Sequence, residues 1–279
     1  MTRPAPLLRT ALAALATLGP ALAACQGGGT AQAAPPTRAN APADSIAVRA
    51  PAGAPADRFP APSRPVSSIV APRWSDEPDR DEAGEAERVL ALADVKAGTS
   101  VADIGAGDGY YTVRVAPVVG PAGHVWAEDI EARYLELLQR RLRDRPLPNV
   151  TLALGEPHDP RLPPKSADVA LLIHVYHEIS QPFGLLYNLY ASLRPGARVV
   201  ILDTTRPTDR HGTPPALLRC ELSAMGYQET RNVALSADEY VAVFAPPASA
   251  AALTAPDQVA ARLASLGCDR TAHQAANGG

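Results

Sequence analysis

A short glycine-rich stretch carries the most chemical information in this sequence of 279 residues. An apolar segment ends at Asp103, and glycines follow at positions 105, 107 and 109, separated by small or polar residues. Glycine permits positive φ and lets a ligand approach the backbone closely. The free amides at the start of the next helix attract negatively polarised groups. The pattern therefore predicts a loop between a strand and a helix on which a small molecule can lie.

Two common nucleotide-binding motifs do not fit this spacing. The dinucleotide motif G-x-G-x-x-G would need a glycine at position 110, where this chain has Tyr110. The phosphate-binding loop would need Gly-Lys followed by Ser or Thr, and this stretch has no such triplet. A nicotinamide oxidoreductase is therefore the weakest of the functions that the loop allows.

A second group of reactive side chains follows an apolar run. Residues 167–173 have the composition of a central parallel strand that is buried on both faces, and His174, Tyr176, His177 and Glu178 come after it. Ligands of open α/β sheets bind beyond the carboxyl ends of the strands. His177 or Glu178 could act as a general base there, and Tyr176 could stack on the substrate. The same side chains could instead cap the next helix. They could also bind a metal, but without a further partner nearby in the sequence we predict none.

The surrounding sequence alternates between strand and helix patterns. Strands are expected near 100–104, 125–127, 149–154, 167–173, 198–202, 227–235 and 239–244. Helices are expected near 83–93, 109–118, 130–142, 183–193 and 216–225, and a turn at 194–196. Such alternation predicts a parallel sheet with helices on both faces.

The motif Asp-x-Gly-x-Gly-x-Gly at 103–109 resembles motif I of the class I S-adenosylmethionine-dependent methyltransferases. Leu-Arg-Pro-Gly at 193–196 resembles their motif III, and the last two expected strands match their closing pair. The resemblance runs from about 84 to 245. It implies a Rossmann-like, doubly wound α/β fold with a seven-stranded, mostly parallel sheet whose last strand is antiparallel. It also implies transfer of a methyl group from S-adenosylmethionine to an acceptor, which we expect to be a small molecule.

The resemblance gives roles to individual residues. Asp103 and the glycine loop would face the amino-acid end of the cofactor, and Asp129 would bind its ribose hydroxyls, with Glu128 as the second candidate. The cofactor-binding residues expected in this way are Asp103, Gly105, Ala106, Gly107, Gly109, Asp129, Ile130, Asp159 and His174. The expected catalytic residues are His177, Glu178 and Tyr176.

The residue that binds adenine is less closely defined. An acidic residue after the third strand would accept a hydrogen bond from the adenine amino group, and Asp159 is the best match. Glu156 and His158 are weaker matches. An aspartate before a proline is also an ordinary turn residue, so the structural alternative stays open.

Charge patterns bear on partners and on access to the site. The net charge is −3, and the chain has no cluster of Lys and Arg with interleaved aromatic residues, so we expect no nucleic-acid partner. The charged stretch at 76–82 is either a solvated helix start or, with Trp74, Glu77 and Arg80, a lid over the cofactor. The loop at 204–215, which contains His211, is expected to be a lid over the acceptor.

The N-terminus resembles a bacterial lipoprotein signal peptide over residues 1–24. Arg3 and Arg9 precede an apolar run that is too short for a stable transmembrane helix, and Leu-Ala-Ala then precedes Cys25. In this lipobox pattern the cysteine is lipidated, which implies a membrane anchor at Cys25. With Gln26 next, the resemblance implies the periplasmic face of the outer membrane. The alternative is an accidental cysteine in an alanine-rich N-terminus.

The remaining segments complete the predicted organisation. Residues 25–70 are rich in Pro and Ala and predict a disordered tether, because they cannot bury enough apolar surface. The methyltransferase domain would cover 71–246, and 247–279 would be a low-complexity tail. An oxidising compartment would permit a disulfide between Cys220 and Cys268, but we expect a buried thiol at Cys220 and an exposed one at Cys268.

The export signal and the expected cofactor conflict, since S-adenosylmethionine is a cytoplasmic metabolite. The alternative to an enzyme is therefore an exported, non-catalytic module with a methyltransferase fold. Such a module would bind a nucleoside-like ligand or a protein partner.

Overall fold

The computed structural model describes residues 48–69 and 77–277, and their side chains as far as residue 272. The predicted signal peptide, Cys25 and Trp74 lie outside the described residues. In the part of the chain that is described, no helix is both long enough and apolar enough to cross a bilayer.

A single seven-stranded sheet forms the centre of the domain. Its strands are β1 Ser100–Ile104, β2 His124–Asp129, β3 Val150–Leu154, β4 Ala167–Ile173, β5 Leu193–Thr204, β6 Gln228–Ala234 and β7 Glu239–Ala245. Their order is β3-β2-β1-β4-β5-β7-β6. The first five are parallel, and β7 is antiparallel to both of its neighbours. The predicted fold class is confirmed.

Eight α-helices accompany the sheet in the described residues. They are α1 Glu77–Glu82, α2 Glu85–Leu92, α3 Thr112–Val119, α4 Ala132–Asp144, α5 Pro182–Ser192, α6 Pro215–Ala224, α7 Val259–Leu266 and α8 Cys268–Asn277. Helices α2 and α3 pack on one face of the sheet, and α5 and α6 pack on the other.

Strand β4 shows why the sheet is covered on both sides. Val169 and Leu171 belong to the hydrophobic cluster on one face, whereas Ala170 and Leu172 belong to the cluster on the other. Successive side chains of a strand point to opposite faces, so an unbroken apolar run needs two apolar layers. Strands β1, β2 and β4 are parallel, so their carboxyl ends lie at the same edge of the sheet, where the loops that follow them also lie.

Residues 48–69 differ from the predicted tether. The backbone amide of Ala50 donates to the carbonyl of Arg161 at 2.8 Å. Further along, the residue Arg64 is 4% exposed, and its guanidinium pairs with the buried Glu221 at 3.0 Å. The segment buries few apolar side chains, and backbone hydrogen bonds and the ion pair of Arg64 hold it to the domain. The prediction of a tether is therefore wrong for this part of the chain.

The C-terminal segment also differs from the prediction of a low-complexity tail. Leu253, Val259 and Leu263 join the hydrophobic core beside α6, and α7 and α8 follow. Cys220 on α6 and Cys268 at the start of α8 form a disulfide, with their Cα atoms 5.6 Å apart. Cys268 is 1% exposed, so the expectation of two free thiols with Cys268 at the surface is wrong.

The predicted turn at 194–196 lies within β5. Leu193 pairs with Ala167, and Arg198 pairs with Val169, so one residue of β4 lies opposite four residues of β5 at this point. Gly196 has a φ of 79°, which accommodates the irregularity. The sequence signal for a turn therefore marks an irregular strand start rather than a connection outside the sheet.

Candidate active site

The glycine loop forms one wall of a cleft at the carboxyl edge of the sheet. The cleft encloses about 1210 Å³, including the space that opens to solvent. Gly107 has a φ of 58°, and a Cβ built on it would meet no atom within 4 Å, so its backbone borders open space. Gly109 differs, because a Cβ there would lie 2.3 Å from the side chain of Leu138 on α4. Gly107 therefore leaves room for a ligand, whereas Gly109 allows two elements to pack.

Most of the cofactor-binding residues expected from the sequence lie around this cleft. Those that line it are Asp103, Gly105, Ala106, Gly107, Asp129, Ile130 and His174. Gly109 and Asp159 do not line it. Apolar side chains such as Ile104, Val175 and Leu185 form much of the remaining wall, which is usual for sites that bind small molecules.

Asp103, at the end of β1, is a buried carboxylate. It is 2% exposed, and it accepts a hydrogen bond of 2.7 Å from the hydroxyl of Thr112. Burial raises the pKa of Asp103 to about 6, although the bond from Thr112 acts in the opposite direction. The side chain can therefore change charge near neutral pH at the wall of the cleft.

Asp129, at the end of β2, holds the glycine loop in place. One carboxylate oxygen accepts the amide of Gly107 at 2.9 Å, and the other accepts the amide of Glu131 at 2.8 Å. Burial raises the pKa of Asp129, and these two amides partly offset the increase. Each oxygen keeps a lone pair for another donor.

Two buried polar atoms at the wall have no hydrogen-bond partner among the described residues. Glu128 accepts the amide of Gly105 at 3.4 Å through one oxygen, but its other oxygen is unsatisfied. The hydroxyl of Tyr134 is unsatisfied as well. Burial and the nearby charge of Asp129 raise the pKa of Glu128 well above its ordinary value. Since buried polar groups are normally paired, both atoms indicate a place for a polar ligand.

Asp159 has a structural contact instead of a place in the cleft. Its carboxylate accepts the amide of Gly53 at 2.8 Å and the amide of Arg161 at 2.8 Å. Glu156 lines the cleft in its place, while it also pairs with Arg161 at 2.9 Å. The expectation that Asp159 lines the cleft is therefore wrong, because its carboxylate points to the segment at 48–69 and binds Gly53 there.

The three expected catalytic residues separate in space. Residues Tyr176–Glu178 form a single 3₁₀ turn, in which consecutive side chains point about 120° apart. Tyr176 is buried and donates to Glu221 at 2.8 Å, and His177 is buried beside Asp203. Neither lines the cleft, whereas Glu178 does. The expectation that Tyr176 and His177 would face the acceptor is therefore wrong.

Asp203 and His211 are polar neighbours of this turn that the sequence analysis did not connect with it. Nδ1 of His177 lies 2.9 Å from Asp203, which is the next-to-last residue of β5 and follows an apolar run. The ring of His211 is 5.5 Å from the ring of His177, edge to face. Because β4 and β5 are parallel neighbours, their carboxyl ends lie side by side. This arrangement could have predicted the contact between His177 and Asp203.

Helices α1 and α2 cover one side of the cleft. The guanidinium of Arg80 lies 3.6 Å above the ring of Tyr110 and pairs with Glu85, and Arg80 lines the cleft. Glu77 pairs with Arg114 at 3.1 Å and with Arg141 at 2.7 Å. The sequence allowed two interpretations of this stretch, a solvated helix start or a lid. These contacts favour the interpretation in which Glu77 and Arg80 belong to a lid over the cleft.

Part of the chain is similar to known methyltransferase sequences. Residues 102–199 match the family model described as a methyltransferase domain. The demethylmenaquinone methyltransferase of Geobacillus sp. (strain WCH70) is 26% identical over 122 residues, which are 44% of this chain and 52% of that protein. The enzyme of the same name from Anoxybacillus flavithermus (strain DSM 21510 / WK1) is 27% identical over 114 residues, or 41% and 48%. The chain therefore matches about half the length of these curated relatives.

Solved structures show the same fold. A SAM-dependent methyltransferase from Aquifex aeolicus is similar with a TM-score of 0.57 and 24% identity, over 62% of this chain and 94% of that one. The [4+2]-cyclase SpnF is similar with a TM-score of 0.53 and 14% identity, over 60% and 81%. A shared fold does not fix the reaction. These similarities show the fold, and the matched family model describes residues 102–199 as similar to a methyltransferase domain.

Proposed function

We propose that this protein transfers a methyl group from S-adenosylmethionine to a small-molecule acceptor in the cleft. The observation that carries the proposal is the convergence of Gly107, Asp129 and Glu178 on one cleft, although each lies at the end of a different strand or in the loop after it. In open α/β sheets this edge is where ligands bind. The methyltransferase domain match covers all three residues.

The described residues fit the cofactor in three respects. Gly107 borders open space, Asp129 keeps lone pairs for two ribose hydroxyls, and Asp103 can carry the negative charge that an ammonium group needs. The unsatisfied oxygen of Glu128 and the hydroxyl of Tyr134 would also gain partners from a polar ligand. These residues would hold the cofactor along the wall that β1 and β2 supply.

When bound, S-adenosylmethionine supplies a methyl group on a sulfonium, which is a good leaving group. The chain then contributes mainly position, because a well-oriented pair of reactants gains a large effective concentration. Apolar side chains such as Val175 and Ile179 exclude water from the acceptor side. Glu178 is the carboxylate on that wall, and it could accept a proton from the acceptor.

Calorimetry on the full-length chain tests cofactor binding. S-adenosylmethionine and its demethylated product should both release heat on binding. Replacing Asp129 with alanine should weaken binding by about 1.5–3 kcal/mol, which is the range for a hydrogen bond to a charged group. Asp144→Ala is the matched control, because Asp144 is exposed at the far end of α4. If wild type released no heat with either ligand, the enzyme proposal would fail.

The acceptor is tested separately by transfer of a labelled methyl group. The curated relatives are named demethylmenaquinone methyltransferases, so a quinone with an unmethylated ring position is the first acceptor to try. Cofactor binding without transfer to any acceptor tried would favour the non-catalytic module.

We also propose that the protein is exported and anchored in the membrane through a lipid on Cys25. The residues Leu-Ala-Ala-Cys support this, and the disulfide between Cys220 and Cys268 is of a kind that persists in oxidising compartments. Each methylene group of an acyl chain that is buried in the bilayer would stabilise the anchor by about 0.8 kcal/mol. Labelling of cells with palmitate should mark the wild type but not Cys25→Ser. An unlabelled wild type would refute the anchor.

A further inference from the structure

Three side chains beside the cleft form a cluster that the proposed methyl transfer does not use as a unit. They are His177 and Glu178 on the 3₁₀ turn after β4, and His211 on the loop between β5 and α6. One ligand atom from each side chain lies within 4.8 Å of the others. The set joins two imidazoles and one carboxylate, which together are typical ligands of a transition metal.

His177 has the environment of a metal-binding histidine. Its Nδ1 lies 2.9 and 3.1 Å from the two oxygens of Asp203, and both side chains are at most 1% exposed. Its Nε2 is buried without a hydrogen-bond partner among the described residues. Metal-binding histidines commonly use their second nitrogen to bond a carboxylate, which fixes the ring and makes it more basic. Asp203 therefore leaves Nε2 as the nitrogen that a ligand would reach.

The backbone holds His211 next to this nitrogen. Its amide donates to the hydroxyl of Ser67 at 3.2 Å, and its carbonyl accepts the hydroxyl of Thr204 at 3.0 Å. These bonds keep residue 211 at a φ of 55°, in the left-handed region. Nδ1 of His211 lies 3.8 Å from the carboxylate of Glu178. The side chain of His211 is 23% exposed, so an ion could reach the cluster from solvent.

We propose that His177, Glu178 and His211 bind a divalent transition-metal ion, for which Zn²⁺ is the appropriate probe. Two histidines and one glutamate form a known catalytic zinc set, which leaves a position open for water or substrate. Because Glu178 also lines the cleft, an ion bound to it would lie close to the cleft.

A metal ion there would change how the acceptor is activated. Glu178 would then act as a ligand, and the ion would lower the pKa of an acceptor hydroxyl bound to it. This consequence rests on the proposed function, whereas metal binding itself does not. A test that measures bound metal therefore separates the two proposals.

A second cluster of similar composition is a weaker candidate. Glu85, His174 and Glu239 also place ligand atoms within 4.8 Å of one another. However, Glu85 already accepts bonds from Arg80 at 3.0 Å and from Tyr111 at 2.8 Å. A metal ion would have to replace these bonds, so this cluster serves as a competing site in the test.

Zinc titration of the untagged, full-length chain tests the proposal after removal of metals with a chelator. The wild type should retain one Zn²⁺ per chain after gel filtration, by elemental analysis. His211→Ala and Glu178→Gln should each lower zinc affinity at least tenfold in calorimetry, and Asp203→Asn should lower it by about 10–100-fold because it supports His177. His158→Ala is the matched control, since His158 faces a single carboxylate, Glu156, at 3.9 Å.

Thermal unfolding shows whether each variant is folded and whether zinc binds the folded state. Zinc should raise the Tm of the wild type and of His158→Ala, but not that of His211→Ala, because only a ligand of the folded state stabilises it. Equal zinc affinity in wild type and His211→Ala would overturn the proposal. Loss of zinc in His174→Ala with retention in His211→Ala would overturn it as well, and would move the site to the competing cluster.

Discussion

Buried carboxylates at the wall of the cleft make single residues there sensitive to pH. Asp103, Glu128 and Asp129 all have raised pKa values, and burial is the main cause for each of them. A carboxylate with a raised pKa binds its proton over the range in which an exposed carboxylate is ionised. The charge of Asp103 therefore changes at a pH close to neutrality.

Asp103 should give cofactor binding a measurable pH dependence. With a pKa of about 6, the side chain is neutral at about pH 5 and negative at about pH 7. Its negative form attracts the ammonium group of the cofactor product, so affinity should increase as the pH rises through this interval. The replacement Asp103→Asn should remove most of that increase. Calorimetry at several pH values compares the two proteins, and parallel profiles would show that another group is responsible.

Side-chain direction at the site could be predicted only in part. The sequence placed Asp103, Asp129 and Glu178 at strand ends, and the sheet brings all three to the cleft. It did not reveal that residues 176–178 form a 3₁₀ turn, which turns Tyr176 and His177 away. Residues that are adjacent in the sequence lie close together in space. Whether their side chains point in the same direction depends on the local backbone conformation.

Among the secondary-structure elements and segments, those with a regular apolar pattern could be predicted from the sequence, whereas those without one could not. The sheet was predictable because β4 and its neighbours have continuous apolar runs with helices between them. Residues 48–69 have no such pattern, and they are held by backbone hydrogen bonds and by the ion pair of Arg64 with Glu221. Contacts of this kind depend on partners that are more than 100 residues away in the chain, so local composition does not predict them.

The ion pair between Arg64 and Glu221 should dominate the attachment of residues 48–69. Both side chains are nearly inaccessible, at 0% and 2% exposure, and Tyr176 also bonds Glu221. Replacing Arg64 with alanine would leave a buried, unpaired carboxylate, which typically costs about 3–5 kcal/mol. The free energy of unfolding, from urea denaturation of the full-length chain, should decrease by that amount.

A double variant separates the charge from the packing in this prediction. Arg64→Met with Glu221→Leu removes both charges and keeps apolar volume, and such replacements are often neutral or stabilising. The double variant should therefore be clearly more stable than Arg64→Ala. If the two were equally unstable, lost packing rather than an unpaired charge would explain the effect.

For the whole molecule, the central question is in which cellular compartment the protein folds and acts. The N-terminus resembles an export signal, whereas the cofactor that we propose for the cleft is a cytoplasmic metabolite. The disulfide between Cys220 and Cys268 lies within the described fold, far along the chain from the predicted signal peptide. It therefore gives a test of compartment that does not depend on lipidation at Cys25.

The disulfide should contribute strongly to stability in an oxidising compartment. It joins residues separated by 48 positions, and the chain-entropy model gives about 4 kcal/mol for a loop of that length. Cys268→Ser should lower the free energy of unfolding by roughly this amount under oxidising conditions. Under reducing conditions, wild type and variant should unfold at similar denaturant concentrations, because the wild type then has no cross-link.

The same disulfide reports where the protein folds in its host. Thiol-reactive labelling after denaturation should find Cys220 and Cys268 blocked in the exported chain. Both should be free in a version without residues 1–24 that stays in the cytoplasm, where thiols are kept reduced. The Cys220→Ser, Cys268→Ser double variant gives the labelling background. Free thiols in the full-length chain would indicate that it folds in a reducing compartment, and would favour methyl transfer with the cytoplasmic cofactor over a function outside the inner membrane.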